Sequence, residues 1–403
     1  MRVIRNPAIP FILVVLFLDT LGIGVIIPVL PRLLADFVPG NMALAARYYG
    51  IFAASCAAMQ FLCAPILGGL SDRFGRRPII LISLLGAGLD YVLLALAPNL
   101  VWLFVGRVLA GVAGASFSAA TAYIADVTPE EKRAQAFGLV GAAFGLGFIV
   151  GPAVGGLLGG IHLRAPFVVS AALNLLNLLY GIFVLPESLR PENRRAFSFR
   201  RANPLSALAN LGRSRMLIGL TGTLVCSFLA QQILYSTWAL FTQARLGWTP
   251  VDVGLSLATV GISAAIIQGG LLKVIVQRIG ERRAILVGMM FSAAGFVAFA
   301  LANRGWMMYA LIAPFALGGI AAPSTQALLS REVGSSEQGE LQGTLSSLNS
   351  VAAILGALIG TALFARFSPE SAVPHLPGAS LLASAVLNIL VFLLAARLFS
   401  RRA

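Results

Sequence analysis

Residues 72–81 read DRFGRRPIIL, and residues 277–286 read QRIGERRAIL. The glycines of the two segments and several of their basic residues coincide when the chain is shifted by 205 positions. The same shift, without a gap, also pairs glycines in the hydrophobic segments that follow: Gly114 with Gly319, Gly138 with Gly343, Gly151 with Gly356, and Gly155 with Gly360. A repeat of this length predicts two structurally similar halves in one chain.

The composition places both halves in a membrane. Of the 403 residues, 58% are hydrophobic and 11% are charged, and the mean hydropathy is +0.90, far above that of ordinary soluble domains. The apolar runs reach the length of about 20 residues that a spanning helix needs, and they lack the alternation of a barrel strand. We predict an all-α membrane protein whose twelve transmembrane helices form two pseudo-symmetric six-helix bundles.

The basic residues orient this bundle. The net charge is +14, but the 29 Lys and Arg residues lie between apolar runs and form no single basic face, so nucleic-acid binding is not expected. Most of them fall on one side when both termini are cytoplasmic, as the positive-inside rule requires. We expect a multi-pass protein of the bacterial inner membrane, with an N-terminal bundle over residues 1–186, a cytoplasmic linker over 187–215 and a C-terminal bundle over 216–403.

Other protein classes find little support in the sequence. The three cysteines lie in apolar segments without metal-ligand spacing, and the chain has no P-loop pattern for nucleotide binding. We therefore expect neither an enzyme nor a cofactor or metal site. The expected partners are a small-molecule substrate, protons and the lipid bilayer, and we expect a monomer. The start of the chain has no cleavage signature, which predicts a retained first helix.

The loop after the second predicted helix resembles the cytoplasmic signature of the major facilitator superfamily. It carries Gly68, Asp72, Arg73 and Arg76 at the spacing typical of that signature. A glycine at position 68 permits close helix approach, and Asp72 can accept from a helix N-terminus. The resemblance implies a gate here and a substrate site at the interface of two bundles that rock alternately, and a merely solvated basic loop is the alternative.

The fifth predicted helix carries glycines four residues apart at Gly147, Gly151 and Gly155, with Pro152 among them. This spacing makes one smooth stripe on the helix, and the proline removes a backbone donor and favours a bend. Ordinary packing of small residues would give the same stripe. The segment is similar to the antiporter motif of the superfamily, which favours export over import.

Three charged residues, Asp19, Asp90 and Arg107, lie inside predicted spans. A charge at this depth costs at least about 2.5 kcal/mol, so each residue is a functional candidate. Desolvation favours a neutral carboxylic acid and a nearby guanidinium favours the carboxylate, so access from alternate sides can switch the protonation of such a group. A static Asp–Arg pair that only fixes packing is the alternative.

Longer stretches resemble the tetracycline/proton antiporters of the drug-efflux branch: residues 18–31, 89–91, 106–107 and 124–126, then 280–283, 304–306 and 341–343. The resemblance implies proton coupling at the three intramembrane charges and a cavity lined by Gln60, Gln232 and Gln326. Tyr235 and Trp238, three residues apart on one helix face, are further candidates for substrate binding, with lipid-facing anchors as the alternative.

The chain departs from that family at two positions. The antiporters carry a membrane His and a membrane Asp in the eighth and ninth helices, where this chain has Ala264 and Ser292. Neither residue can titrate, so proton coupling is expected to run through the N-terminal half. We predict proton-coupled efflux of small organic compounds, of multidrug or tetracycline type. A facilitator or importer of a small metabolite is the alternative, and a non-transporting membrane sensor is a second one.

The repeat also predicts two ion pairs. Arg76 and Asp126 match residues that pair at the gate in the superfamily, and the positions 205 residues later are Glu281 and Arg331. The charges are exchanged but still opposite. We therefore predict a salt bridge in each half as part of the gate, with coincidence between charge-rich loops as the alternative.

Overall fold

The computed structural model describes residues 8–115, 117–194, 215–333, 338–368 and 374–400. The predicted linker lies largely outside these ranges, and so do both chain ends. The described residues contain sixteen α-helices: α1 (Ala8–Ile26), α2 (Leu30–Phe37), α3 (Met42–Phe74), α4 (Arg76–Leu96), α5 (Leu100–Gly114), α6 (Phe117–Val127), α7 (Arg133–Ile161), α8 (Ala165–Val184), α9 (Arg215–Leu246), α10 (Pro250–Ile266), α11 (Leu272–Ile279), α12 (Glu281–Leu301), α13 (Gly305–Ala316), α14 (Ala321–Glu332), α15 (Gln338–Phe367) and α16 (Ala379–Ser400).

Twelve helical stretches are long and apolar enough to cross a membrane, which confirms the predicted number. Three of them are interrupted. The fourth consists of α5 and α6, the eighth joins α10 to α11 through a π-helical turn at Ile267–Leu271, and the tenth joins α13 to α14 through a 3₁₀ turn at Leu317–Ile320. The described spans thus agree with the predicted fold, with breaks that hydropathy does not reveal.

Local sequence sets several helix ends. Asn99 caps α5 by accepting from the backbone N–H groups of Val101 and Trp102, at 3.1 and 3.3 Å. Thr249 and Asp252 form a reciprocal capping box at the start of α10. Gly75 and Gly280, which the repeat relates, have φ angles of 107° and 78°. Because this backbone region favours glycine, the chain can turn sharply between α3 and α4 and between α11 and α12.

The chain divides into two compact units. The first comprises Met1–Phe37 and Ser55–Pro204, and the second comprises Val38–Ala54 and Leu205–Ala403. Residues 38–54, which the sequence boundary places with the N-terminal bundle, therefore group with the second unit. There the backbone of Gly50 lies against the side chain of Thr361 in α15.

Each unit packs its helices in the same pairs. In the first, α1 packs on α7 and α4 on α8, and in the second, α9 packs on α15 and α12 on α16. The core of the first unit includes Ile12, Leu16 and Ile80. Outward-facing side chains are also apolar, since Ile161 is 82% exposed and Phe183 is 85% exposed. A lipid-facing surface requires this.

Candidate transport site and gate

A buried ion pair joins α4 to α5 in the first unit. Arg107 donates from Nη2 to Asp90 Oδ2 at 2.6 Å, and the two side chains are 6% and 2% exposed. The second oxygen, Asp90 Oδ1, faces the backbone of Gly106. Within the described part of the chain, that oxygen and Arg107 Nε have no hydrogen-bond partner. The structure thus places two of the three intramembrane charges in direct contact, with hydrogen-bonding capacity left over on both.

Asp19 lies on α1, apart from this pair. Its side chain is half-buried, and among the described residues no hydrogen bond or ion pair of its carboxyl is found. The adjacent Thr20 bonds back to the carbonyl of Leu16 at 2.9 Å. An unpaired carboxyl inside a spanning helix is free to take up and release a proton as its surroundings change.

Tyr91 connects the two acidic positions, a role that the sequence does not predict. Its hydroxyl packs against the backbone of Gly22, where any side chain would collide with it. Gly22 follows Asp19 by three residues on α1 and so shares its face. Tyr91 lies within electrostatic range of Asp19, Asp90 and Arg107, and also of Cys56 on α3. Tyr91, which follows Asp90 on α4, therefore contacts the helix that carries Asp19.

The glycine stripe of α7 forms the contact with α1. A side-chain carbon at position 147 would lie 2.8 Å from the carbonyl oxygen of Phe17, and one at position 151 would lie 2.5 Å from that of Leu21. Position 155 is blocked in the same way by the backbone of Val25. Pro152 packs against Gly24 of α1. The predicted stripe is thus the surface on which the helix carrying Asp19 lies.

The second unit repeats this packing without the charges. Gly356 and Gly360 of α15 lie against the backbone of α9 near Ile233, as the repeat predicts. The positions 205 residues after Asp90 and Arg107 are Gly295 and Ile312. Gly295 packs against the ring of Phe315 instead of joining an ion pair.

The residues predicted to bind substrate have different surroundings. Gln60 donates to the carbonyl of Gly114 at 3.4 Å, where α5 ends. Gln232 packs its Cβ against Gly356. Tyr235 and Gln326 are half-buried.

Trp238 lies deeper than the other residues predicted to bind substrate. It is 2% exposed, its indole N–H donates to Ser256 Oγ at 3.0 Å, and its ring meets Phe299 edge-on at 5.1 Å. All of these residues belong to the second unit. Trp238 is therefore a core residue, because substrate could reach it only by displacing these partners.

The signature loop holds a charge network around Arg76. The guanidinium donates to Asp72 at 2.5 Å, to Ser71 Oγ at 2.6 Å and to Asp126 at 3.2 Å. Gly68 closes the network by accepting from Ser71 Oγ at 2.7 Å. The predicted contact between Arg76 and Asp126 is therefore present.

The second predicted pair is also formed. Arg331 Nη2 lies 2.7 Å from Glu281 Oε1, with Arg331 71% exposed and Glu281 15% exposed. Arg73, however, does not join the first network: it is exposed and stacks over the ring of its neighbour Phe74, 5.0 Å from the ring centre. The two predicted contacts are present, and Arg73 lies on the surface beside the first of them.

Two further residues contact the loop and were not predicted from the sequence. The Glu187 carboxylate accepts from the backbone N–H groups of Arg76 and Arg77, at 2.8 and 3.3 Å. Ser188 donates to Asp126 at 3.1 Å. Both lie in the polar stretch that begins the predicted linker, and the only sequence signal for them was their polarity directly after an apolar run.

Among the described residues, no group of three or more His, Cys, Asp or Glu side chains could hold a metal ion. The functional groups at the site are carboxyl groups, guanidinium groups, amides and phenols. Such a set can move protons, bind polar groups of a small molecule and form switchable ion pairs.

Comparison with known proteins places this arrangement in a family. The model of the Major Facilitator Superfamily matches residues 12–303 and 220–403. The class C tetracycline resistance protein of Escherichia coli is 45% identical over 360 residues, which cover 89% of this chain and 90% of that protein. The class G protein of Vibrio anguillarum is 41% identical, with coverage of 89% and 91%.

Solved structures agree in fold. The nucleoside transporter NupG superposes with a TM-score of 0.80 at 14% identity, covering 97% of this chain and all of that one (100%). The human organic anion transporter MFSD10 gives a TM-score of 0.68 at 23% identity, with coverage of 96% and 98%. The chain, with its two repeated units, its signature loop and its glycine stripe, belongs to the major facilitator superfamily and, within it, groups with the tetracycline resistance proteins.

Proposed function

We propose that this protein exports tetracycline-like compounds across the bacterial inner membrane in exchange for protons. The observation that carries the proposal is the cluster of Asp19, Tyr91, Asp90 and Arg107 in the first unit, in a chain 45% identical to a tetracycline resistance protein. By the positive-inside rule, both chain ends and the signature loop lie on the cytoplasmic side. The protein acts as a monomer by alternating access.

Proton coupling runs through the first unit. The unpaired carboxyl of Asp19 binds a proton, and the Asp90–Arg107 pair responds to the change in charge. The second unit has no titratable counterpart, since Gly295 and Ile312 replace the ion pair. Ser292 packs against Gly318 and, like Ala264, supplies no proton site.

We assign substrate binding to four polar side chains. Gln60, Gln232, Tyr235 and Gln326 offer amides and a phenol, which suit the many hydroxyl and carbonyl groups of a tetracycline. The ion pairs Arg76–Asp126 and Glu281–Arg331 bias the gate between its two states. The Glu281–Arg331 pair, with an exposed arginine, contributes only about 0 to 1 kcal/mol, enough to shift a two-state equilibrium without holding the fold. The Arg76–Asp126 pair is more buried, with side chains 11% and 25% exposed.

Import or facilitated diffusion of a metabolite is less well supported. Six tetracycline resistance proteins match at 37 to 45% identity over about nine tenths of the chain, and the packed Gly147–Gly155 stripe belongs to the antiporter motif. Both favour export.

The test is expression in an efflux-deficient bacterial host. We expect the minimum inhibitory concentration of tetracycline to rise at least fourfold over the empty vector. We also expect everted vesicles to accumulate the drug when the vesicle interior is made acidic relative to the outside. Dissipating the gradient should stop accumulation. A well-expressed protein that gives neither resistance nor gradient-driven accumulation for any of several tetracyclines would contradict the proposed function.

A further inference from the structure

The chain segment that leaves α8 is bonded to the start of α4. The Glu187 carboxylate accepts from Arg76 N at 2.8 Å and from Arg77 N at 3.3 Å. It also accepts from the backbone of Ser188 and Leu189, both at 3.0 Å. The first N–H groups of a helix have no partner within the helix, and the helix dipole favours a negative charge there. Glu187 therefore caps α4 from a position more than 100 residues away in sequence.

Ser188 holds the other side of the same gate. Its hydroxyl donates to Asp126 Oδ2 at 3.1 Å, and the same oxygen accepts from Arg76 Nε at 3.2 Å. The preceding residue is fixed as well, since Tyr123 donates to the carbonyl of Pro186 at 2.9 Å. Two adjacent residues thus contact both members of the Arg76–Asp126 ion pair.

We propose that Glu187 and Ser188 are positioning residues of the gate: Glu187 fixes the backbone that carries Arg76, and Ser188 fixes the carboxylate of Asp126. The backbone geometry of Gly75 allows this contact between Glu187 and the start of α4. Its φ of 107° turns the chain into α4, and a side chain there would collide with the Glu187 carboxylate. The inference rests on the proposed function, because it assigns these residues to the gate of that transport cycle.

The corresponding turn of the second unit is packed differently. Gly280 has no atom within 4 Å of the place where a side chain would begin. The Glu281–Arg331 pair stands next to it with Arg331 71% exposed. The first ion pair is thus held by neighbours on two sides, and its arginine side chain is only 11% exposed. Loss of Glu187 should therefore weaken the Arg76–Asp126 ion pair, because the backbone that carries Arg76 is then no longer fixed.

Transport kinetics test the proposal. In everted vesicles at matched protein level, we expect Glu187→Ala to lower the maximal rate of tetracycline transport about tenfold with KM changed less than twofold. A lost cap shifts an equilibrium by roughly 2- to 30-fold. Ser188→Ala should lower the rate about threefold. Glu192→Ala is the matched control, since Glu192 is 65% exposed and pairs loosely with Arg190 at 3.9 Å, and its rate should equal that of the wild type.

A conservative variant separates geometry from charge. The oxygen of a glutamine can still accept from Arg76, Ser188 and Leu189, which all bond to the same Glu187 oxygen. We expect Glu187→Gln to keep the rate within threefold of the wild type. A Glu187→Gln variant as slow as Glu187→Ala would overturn the positioning role, because it would make the charge alone decisive.

Hydrogen exchange gives a measurement that needs no substrate. In the purified protein, Glu187→Ala should speed exchange at the amides of Arg76 and Arg77 at least tenfold, while the Asn99-capped amides of Val101 and Trp102 keep their rates. Unchanged exchange at residues 76 and 77, or wild-type transport by both alanine variants, would overturn the proposal. If Glu187→Ala does not fold, the transport rates of Glu187→Gln and Ser188→Ala test the proposal, with the expected values given above. A wild-type protein that moves no tetracycline would instead contradict the proposed function. The hydrogen-exchange measurement would still test whether Glu187 caps α4.

Discussion

A single methyl group at position 151 should slow transport. The added carbon of Gly151→Ala would lie 2.5 Å from the carbonyl oxygen of Leu21 and 3.0 Å from the Cα of Gly24. Both obstacles are backbone atoms of α1, which cannot rotate away as a side chain can. Since ordinary contacts begin near 3.4 Å, α1 and α7 must separate by roughly 1 Å, a strain typical of overpacked cores.

The magnitude follows from two opposing terms. Overpacking costs about 1–3 kcal/mol, and replacing a helical glycine by alanine gains about 1 kcal/mol, so the net loss of stability is about 0–2 kcal/mol. The protein should still fold. Because α1 carries Asp19, however, a shift of about 1 Å at the coupling carboxyl can cost as much as 100-fold in rate. We expect at least a tenfold loss of turnover, and a complete loss for Gly151→Leu.

The assay compares gradient-driven uptake in everted vesicles with the melting temperature in detergent. Gly141→Ala on the same helix is the matched control, since no atom lies within 4 Å of its side-chain position. That variant should transport at the wild-type rate and melt at the same or a slightly higher temperature. Wild-type turnover by a well-expressed Gly151→Ala protein would refute the assignment of the stripe as a tight contact with α1.

Three other predictions concern charges. Asp19→Asn should abolish gradient-driven transport but leave substrate exchange largely intact, because the amide mimics only the protonated carboxyl; gradient-driven uptake at the wild-type rate would exclude Asp19 as the coupling site. Asp90→Asn leaves Arg107 buried without its counter-charge, which costs about 3–5 kcal/mol; the melting temperature should fall, and adding Arg107→Gln should restore part of it. Glu281→Arg and Arg331→Glu should each reduce transport up to about fivefold, and the charge-swapped double variant should exceed both; a double variant no better than either single one would count against the gate role of the pair.

The sequence was sufficient for the architecture because hydropathy and an ungapped repeat are strong signals in a membrane protein. The number of spans follows from them, and the repeat carries the ion pair that the family resemblance implies at Arg76 and Asp126 over to Glu281 and Arg331. The breaks in the eighth and tenth spans were not predicted, although both contain glycine pairs: Gly269 and Gly270 in the π-helical turn, and Gly318 and Gly319 in the 3₁₀ turn. Glycine lowers the cost of leaving α-helical geometry but does not state where the chain will do so.

Burial is harder to predict inside a bilayer than in water. Tyr235 and Trp238 share a helix face, but in lipid both the core and the outer surface are apolar, so periodicity does not tell which side a face contacts. Trp238 proved to be core because Ser256, on another helix, satisfies its N–H. Glu187 was not predicted for a related reason. The amides of α4 that bond to it lie more than 100 residues away in sequence, and its sequence neighbours are polar linker residues.

The two units share their glycine packing but differ in their buried charges. Packing is preserved, since Gly151 and Gly155 fit α1 as Gly356 and Gly360 fit α9. The buried charges are not, since Asp90 and Arg107 correspond to Gly295 and Ile312. A glycine contact is needed wherever two helices must approach closely, so loss of it in either unit would force the two helices apart. A buried ion pair, in contrast, can be replaced by apolar packing at little or no cost in stability, provided that both partners change together. Packing alone therefore does not require the charges in the first unit, which supports the proposal that proton coupling runs through that unit.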